Sequence, residues 1–174
     1  MSSTHIRVPV KQLCFVCSGN LYRSRYAEAY FNYLCITHER TDLRAFSRGI
    51  SVQPTENYRH GEIFTMPLRL AKPTYDRMLA RNIPFCLVGP TNQGLCAYDC
   101  AAAHLIILMN RAEHFPVMVR DYPEYLERVL SYNIGDKEYA PGTGYSGPEW
   151  SEEDALSAIE RLVATTFEKL SVVA

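Results

Sequence analysis

Apolar residues in this chain come in short runs separated by polar and glycine-rich punctuation. The run from Gln12 to Cys17 stops at Ser18-Gly19-Asn20, a pattern that predicts a buried strand delivering the chain into a tight loop. From Ser24 the spacing changes: Ala27, Tyr30, Phe31 and Leu34 recur at helical intervals and predict a helix with one face on a sheet. Leu43 to Ser47 predicts a second strand, stopped by Gly49, and the polar stretch from Ser51 to about Gly61 reads as a surface loop. Pro73 suits the first turn of a helix running to about Arg81, where its missing N–H costs nothing. Phe85 to Val88 and His104 to Met109 are unbroken apolar runs of strand length, as expected for parallel strands covered on both faces.

The last helix has the clearest start. Ser151 with Asp154 three residues on matches a capping box, Glu152 and Glu153 complement the helix dipole, and Leu156, Ile159, Leu162, Val163 and Leu170 supply an apolar face. Strands alternating with helices imply an α/β sheet with right-handed crossovers. No repeat, low-complexity tract or internal boundary interrupts the pattern, so 1–174 is expected to be a single domain, with 1–10 a short N-terminal tail.

Composition narrows the chemistry. With 174 residues and 47% hydrophobic content the chain can bury a core without metal or disulfide staples. A formal net charge of -1 gives no general reason to bind nucleic acid or an anionic membrane, so any anion site must be local. Met1 to Pro9 lacks the apolar core of a signal peptide, and no window approaches the roughly 18 apolar residues a membrane helix needs. A cytoplasmic protein is expected. Six cysteines are too sparse for a disulfide scaffold and point to catalysis, metal or core filling.

The segment Cys17-Ser18-Gly19-Asn20-Leu21-Tyr22-Arg23-Ser24 separates a cysteine from an arginine by five residues, between a strand and a helix. Five residues can curl so that successive N–H groups form an anion nest at the helix N-terminus. Gly19 and Asn20 tolerate the left-handed backbone such a curl needs. Arg23 would close the ring with a planar fork matched to two phosphate oxygens. The inward amides, the helix dipole and Arg23 all favour a thiolate at Cys17, and Ser24 is placed to donate a hydrogen bond to it. Ser18 through Ser24 are thus the expected phosphate-binding residues.

Those residues, with Val16 before them and Ala27-Glu28 after, resemble the low-molecular-weight protein tyrosine phosphatase family. Ala45-Phe46-Ser47-Arg48-Gly49 is similar to that family's second strand and His104 to Asn110 to its fourth. The resemblance implies a three-layer α/β fold, a four-stranded parallel sheet of flavodoxin-like order flanked by helices. It also implies hydrolysis through a cysteinyl phosphate without metal or cofactor, and phosphotyrosine in a protein, or another aryl phosphate, as substrate.

The leaving group needs a proton, best supplied by a carboxylic acid on a mobile loop facing the nest. The family places an aspartate shortly before the final helix, where this chain has Asp136; Asp121 is the rival. Lys137 follows Asp136 where the family has proline, and Gly135, Gly142, Gly144 and Gly147 surround it. Tyr22 and Tyr139 are expected against the substrate ring, with Tyr145 and Trp150 as further aromatic candidates.

Several positions depart from the family pattern. Tyr22 replaces a second loop cysteine, which changes the expected oxidation chemistry of Cys17. Arg25 replaces proline and is expected to add positive charge near the rim. The stretches 51–70 and 89–93 are unlike the family's. Three other readings stand beside a phosphatase. An arsenate reductase would need two relay cysteines, and none follows Asn110. A metal site from Cys14, Cys17, Cys96 and Cys100 would need residues three apart on a strand to aim at one ion. A noncatalytic phosphate binder would keep the nest without the acid. Core filling is expected for Cys14, Cys35, Cys86, Cys96 and Cys100. The sequence leaves the oligomeric state open.

Overall fold

A computed structural model describes residues 9–52, 63–64, 69–135 and 150–171. Strand β1 (Lys11–Cys17) lies between β2 (Leu43–Gly49) and a later strand, and helix α1 (Arg23–Thr37) makes the crossover to β2. A two-residue antiparallel pair, β3 (Ile63–Phe64) and β4 (Leu70–Ala71), precedes α2 (Lys72–Ala80), whose second residue is Pro73. There follow α3 (Ala97–Ala102), β5 (Leu105–Leu108), α4 (Arg111–Asp121), β6 (Val129–Ser131) and α5 (Glu152–Ser171). The main sheet has the order β2-β1-β5-β6, and every pairing in it is parallel.

Alternation along β1 sorts the core into two layers. Leu13, Phe15 and Cys17 join Ile107 and Met109 beneath α1, α2 and α5, while Cys14 and Val16 join Ile106, Leu108, Cys100 and Met118 beneath α3 and α4. This is the three-layer, four-stranded parallel architecture expected, and it places Cys14 and Cys17 on opposite faces of the sheet. The register Cys17↔Gly49 ends β1 and β2 together, so the loop after β1 opens at the carboxyl edge of the sheet. That edge is where open α/β sheets bind ligands.

The structure corrects two expectations about the frame. Phe85–Leu87 is a 3-10 turn rather than a strand: Leu87 N–H bonds the Pro84 carbonyl, the Leu87 carbonyl accepts from Asn32 Nδ2, and Phe85 stacks on Tyr75. The run is apolar because it packs on α1 and α2. The fourth strand is β6, three part-exposed or exposed residues at the sheet edge. Among the cysteines, Cys14, Cys35 and Cys100 are buried as expected of core residues, whereas Cys86 and Cys96 are exposed. Burial drives the Cys14 thiol well up and the Cys35 thiol to about 12, which suits inert core groups. The Ser151 cap holds, its Oγ accepting from Asp154 N–H at 3.0 Å. No helix among the described residues is long and apolar enough to cross a membrane.

Candidate active site

β1 ends at Cys17 and α1 begins at Arg23, so residues 18–22 must turn the chain between sheet and helix. The left-handed step falls at Asn20, with φ of 53°. An asparagine tolerates that backbone because its short amide bonds locally. Here Gln93 N–H donates to Oδ1 at 2.9 Å, while Nδ2 donates to Ser47 Oγ at 2.8 Å and Ser24 Oγ at 3.0 Å. Gly19 does not share the left-handed step; a Cβ there would meet nothing within 4 Å, so its role is an uncovered face. Gly49 is the glycine forced by close approach, since a Cβ on it would lie 2.7 Å from the Ser18 carbonyl oxygen.

The loop's carbonyls are drawn outward. Ile50 N–H bonds the carbonyl of Cys17, Ser51 N–H that of Ser18, Ala71 N–H that of Leu21, and Thr74 Oγ1 that of Tyr22, at 2.9 to 3.1 Å. In a trans peptide the N–H points opposite the C=O. The amides of Ser18, Gly19, Tyr22 and Arg23 therefore face away from these partners, towards the hollow of the loop. Inward N–H groups ahead of a helix make an anion nest.

Cys17 lies on the floor of that hollow, 3% exposed, with its Sγ 3.0 Å from Ser24 Oγ. Ser24 Oγ also accepts from Asn20 Nδ2, and its hydroxyl proton can be donated to a sulfur that carries none. Arg23 is clamped from the other side. Its Nη1 donates to Glu113 Oε1 at 3.1 Å and to the Ile134 carbonyl at 2.9 Å, and its Nη2 donates to Glu113 Oε2 at 2.8 Å.

Glu113 and His114 come from α4 and were not anticipated. Asn110 caps that helix, its Oδ1 accepting from Glu113 N–H. Asn110-x-x-Glu113 is a capping-box pattern, a signal present in the sequence. In such a box the glutamate would return to the cap's N–H, but here His114 Nδ1 accepts that N–H at 3.1 Å. This releases Glu113 towards Arg23 and assigns the proton of a neutral His114 to Nε2. Nε2 lies 3.2 Å from Ser18 Oγ, which in turn donates to Glu113 Oε2 at 2.9 Å. Burial alone would raise the Glu113 carboxyl; hydrogen bonds from His114 and Arg23 outweigh it and hold the group well below the usual carboxylate range.

No family model matches the sequence, and a search of the curated proteins finds no match. Solved structures do match. YfkJ from Bacillus subtilis superposes with a TM-score of 0.69 at 18% identity, over 95% of this chain and 97% of that one. The low molecular weight protein tyrosine phosphatase from T. tengcongensis gives 0.66 at 20% identity, over 91% and 99%. The YwlE arginine phosphatase from Geobacillus stearothermophilus gives 0.65 at 18%, over 93% and 94%. The chain has the fold of the low molecular weight protein tyrosine phosphatases.

Within that phosphatase fold the expected residues separate into three groups. Cys17, Ser18, Asn20, Arg23 and Ser24 are joined by the contacts above, and Gly19, Leu21 and Tyr22 complete the loop. The Tyr22 ring is 3% exposed, with its hydroxyl on the Glu152 carbonyl, so the loop presents the residue through its backbone. Asp136, Tyr139 and Tyr145 lie outside the described residues, as does most of the segment 51–70. Trp150 is described, and packs so close to Gly135 that a Cβ there would fall 2.2 Å from the indole.

Asp121 and Arg25 are placed away from the mouth. Asp121 is at the far end of α4 from Glu113, roughly 12 Å along the axis at 1.5 Å per residue. Both its oxygens are taken by Arg120 at 2.7 Å, and that pairing holds its carboxyl below the ordinary value. Arg25 is not on the rim. It is 1% exposed, because the first turn of α1 directs it inward beneath the loop, where it donates to the Gly89 carbonyl.

Proposed function

We propose that this chain is a phosphomonoester hydrolase, most simply a protein tyrosine phosphatase, that attacks phosphorus with Cys17 and passes through a cysteinyl phosphate. The observation that carries the reading is the Cys17 sulfur beneath a ring of amides, with the Arg23 guanidinium held by Glu113 and Ile134. Amides and guanidinium meet the equatorial oxygens, where charge gathers as phosphoryl transfer proceeds. Ser24 Oγ, 3.0 Å from the sulfur, is the proposed donor to it, which makes the sulfur a better leaving group when water hydrolyses the intermediate.

Asp136 is the proposed general acid. Arg23 binds the Ile134 carbonyl, two residues ahead of it, so the chain enters the acid's segment from the wall of the nest. Asp121 has neither the position nor a protonated form near neutrality. An aryl ester is taken ahead of a phosphoguanidine on the resemblance of Cys17–Ser24 to the tyrosine phosphatases, with phosphoarginine the competitor because one fold neighbour is an arginine phosphatase. The test is the pH profile of aryl phosphate hydrolysis by the wild type, Cys17→Ser, Asp136→Asn and Asp121→Asn, with phosphoarginine as second substrate. Loss in Cys17→Ser, a flattened basic limb in Asp136→Asn alone, and preference for the aryl ester are expected. Phosphate binding without turnover would identify a noncatalytic binder, and faster phosphoarginine turnover would overturn the substrate class.

A further inference from the structure

Behind the nest, on the side away from Glu113, lies a second buried guanidinium and carboxylate. Arg25 Nη1 is 3.7 Å from Glu28 Oε2, its Nη2 donates to the Gly89 carbonyl, and its buried Nε has no hydrogen-bond partner. Glu28 accepts from Ser47 Oγ at 2.5 Å and from Gly89 N–H at 3.2 Å. Burial pushes the Arg25 guanidinium down and the Glu28 carboxyl up, each opposed by the other's charge. Both shifts run towards neutrality, and a buried ion pair is often matched in stability by apolar side chains of similar size.

Its connections suggest another use. Ser47 donates to Glu28, which leaves the Ser47 oxygen to accept from Asn20 Nδ2; the same amide donates to Ser24, which faces Cys17. A neutral Glu28 could donate to Ser47 instead, turn the Ser47 proton against the Asn20 amide and loosen its bond to Ser24. The charges facing Glu28 are Arg25 on its own helix and Arg48 on β2, with the Cys14 thiol on β1. Arg25 is the buried cation hydrogen-bonded to the same Gly89 turn as the carboxylate.

We propose that Arg25 is a positioning residue: it keeps Glu28 a hydrogen-bond acceptor, and so holds Ser47, Asn20 and Ser24 in the orientation that delivers a proton to the Cys17 sulfur. The inference rests on Cys17 being the nucleophile, as proposed above, and it gives Arg25 no contact with substrate.

The test compares Arg25→Met, Arg25→Lys and the neutral pair Arg25→Met/Glu28→Leu in the full chain. Arg25→Met should lower kcat for aryl phosphate about tenfold, leaving KM and inhibition by inorganic phosphate within about twofold, since Arg23 and the amides are untouched. Its loss should deepen as pH falls and the unpaired Glu28 takes up a proton. Arg25→Lys should retain most of kcat. The neutral pair should stay low in kcat at every pH, because residue 28 then offers Ser47 no acceptor at all. Alkylation of Cys17 by iodoacetamide, which needs no phosphatase activity, should rank the variants in the same order. A wild type inactive on aryl phosphate but with this ranking would sink the function and spare the positioning role. Wild-type kcat and alkylation in a folded Arg25→Met would overturn the positioning role. If Arg25→Met does not fold, the same result in the neutral pair overturns it.

Discussion

Glu113 holds Arg23 by two hydrogen bonds, of 3.1 and 2.8 Å, and both side chains are nearly closed to solvent. The arginine proposed to bind phosphate is thus fixed in place by a carboxylate that Ser18 and His114 steady in turn. Pre-set guanidinium geometry spares the ordering cost when an anion binds.

Glu113→Gln keeps the shape but loses the charge and one acceptor. We expect kcat/KM on aryl phosphate to fall about tenfold and stability to fall by about 2 kcal/mol, in the range for hydrogen bonds to charged groups. Steady-state kinetics and chemical denaturation measure the two. An unchanged or higher kcat/KM would mean that Glu113 competes with the substrate for Arg23 rather than aligning it.

The same carboxylate sets an acid dependence. Its folded value is depressed below the unfolded one of about 4.3, so the unfolded chain binds the proton first as pH falls. The stability it contributes is fully present above that unfolded value and is lost progressively below it, towards the depressed folded value. The Tm gap between wild type and Glu113→Gln should be widest above about pH 5 and close steadily in more acid buffer. A constant gap down the acid limb would separate Glu113 from acid unfolding.

Ser24→Ala removes the donor to the Cys17 sulfur while leaving Arg23 and the loop amides in place. Departure of sulfur from phosphorus should then limit turnover, with kcat down about tenfold or more. A pre-steady-state burst of phenol should appear or grow. Lower kcat without a burst would put the role of Ser24 in the attack instead.

For poor phenolate leaving groups, Asp136→Asn should cost about 10² or more in kcat, the lower range for a general acid, and much less for activated phenols. Asp121→Asn should stay within about twofold, consistent with a carboxylate held by Arg120 at the far end of α4. Substrates graded by leaving-group acidity separate the two.

Much of this was legible in the residues. The apolar run into Ser18-Gly19-Asn20 and the helical spacing after Ser24 locate β1, the loop and α1, because one buried strand and one amphipathic face leave few alternatives. Phe85–Leu87 misleads because burial against a helix and burial in a sheet produce the same apolar run. β6 has three residues and no fully buried face, too little pattern to detect. Cys17, Arg23 and Ser24 could be named because one short loop carries them. Glu113 and His114 reach the site through the parallel pairing of β1 with β5, a long-range contact that local spacing does not encode. Arg25 shows the same limit: its residue type marks a charge, but only the packing of α1 decides whether that charge faces water or the core.

The central claim is a covalent bond between Cys17 and phosphorus. Rapid alkaline denaturing quench of the wild type during aryl phosphate turnover, followed by peptide mapping, should find phosphate on the peptide carrying Cys17, and none in Cys17→Ala quenched in the same way. Turnover with no phosphorylated enzyme at any quench time, or with phosphate on another residue while Cys17→Ala retains activity, would contradict it.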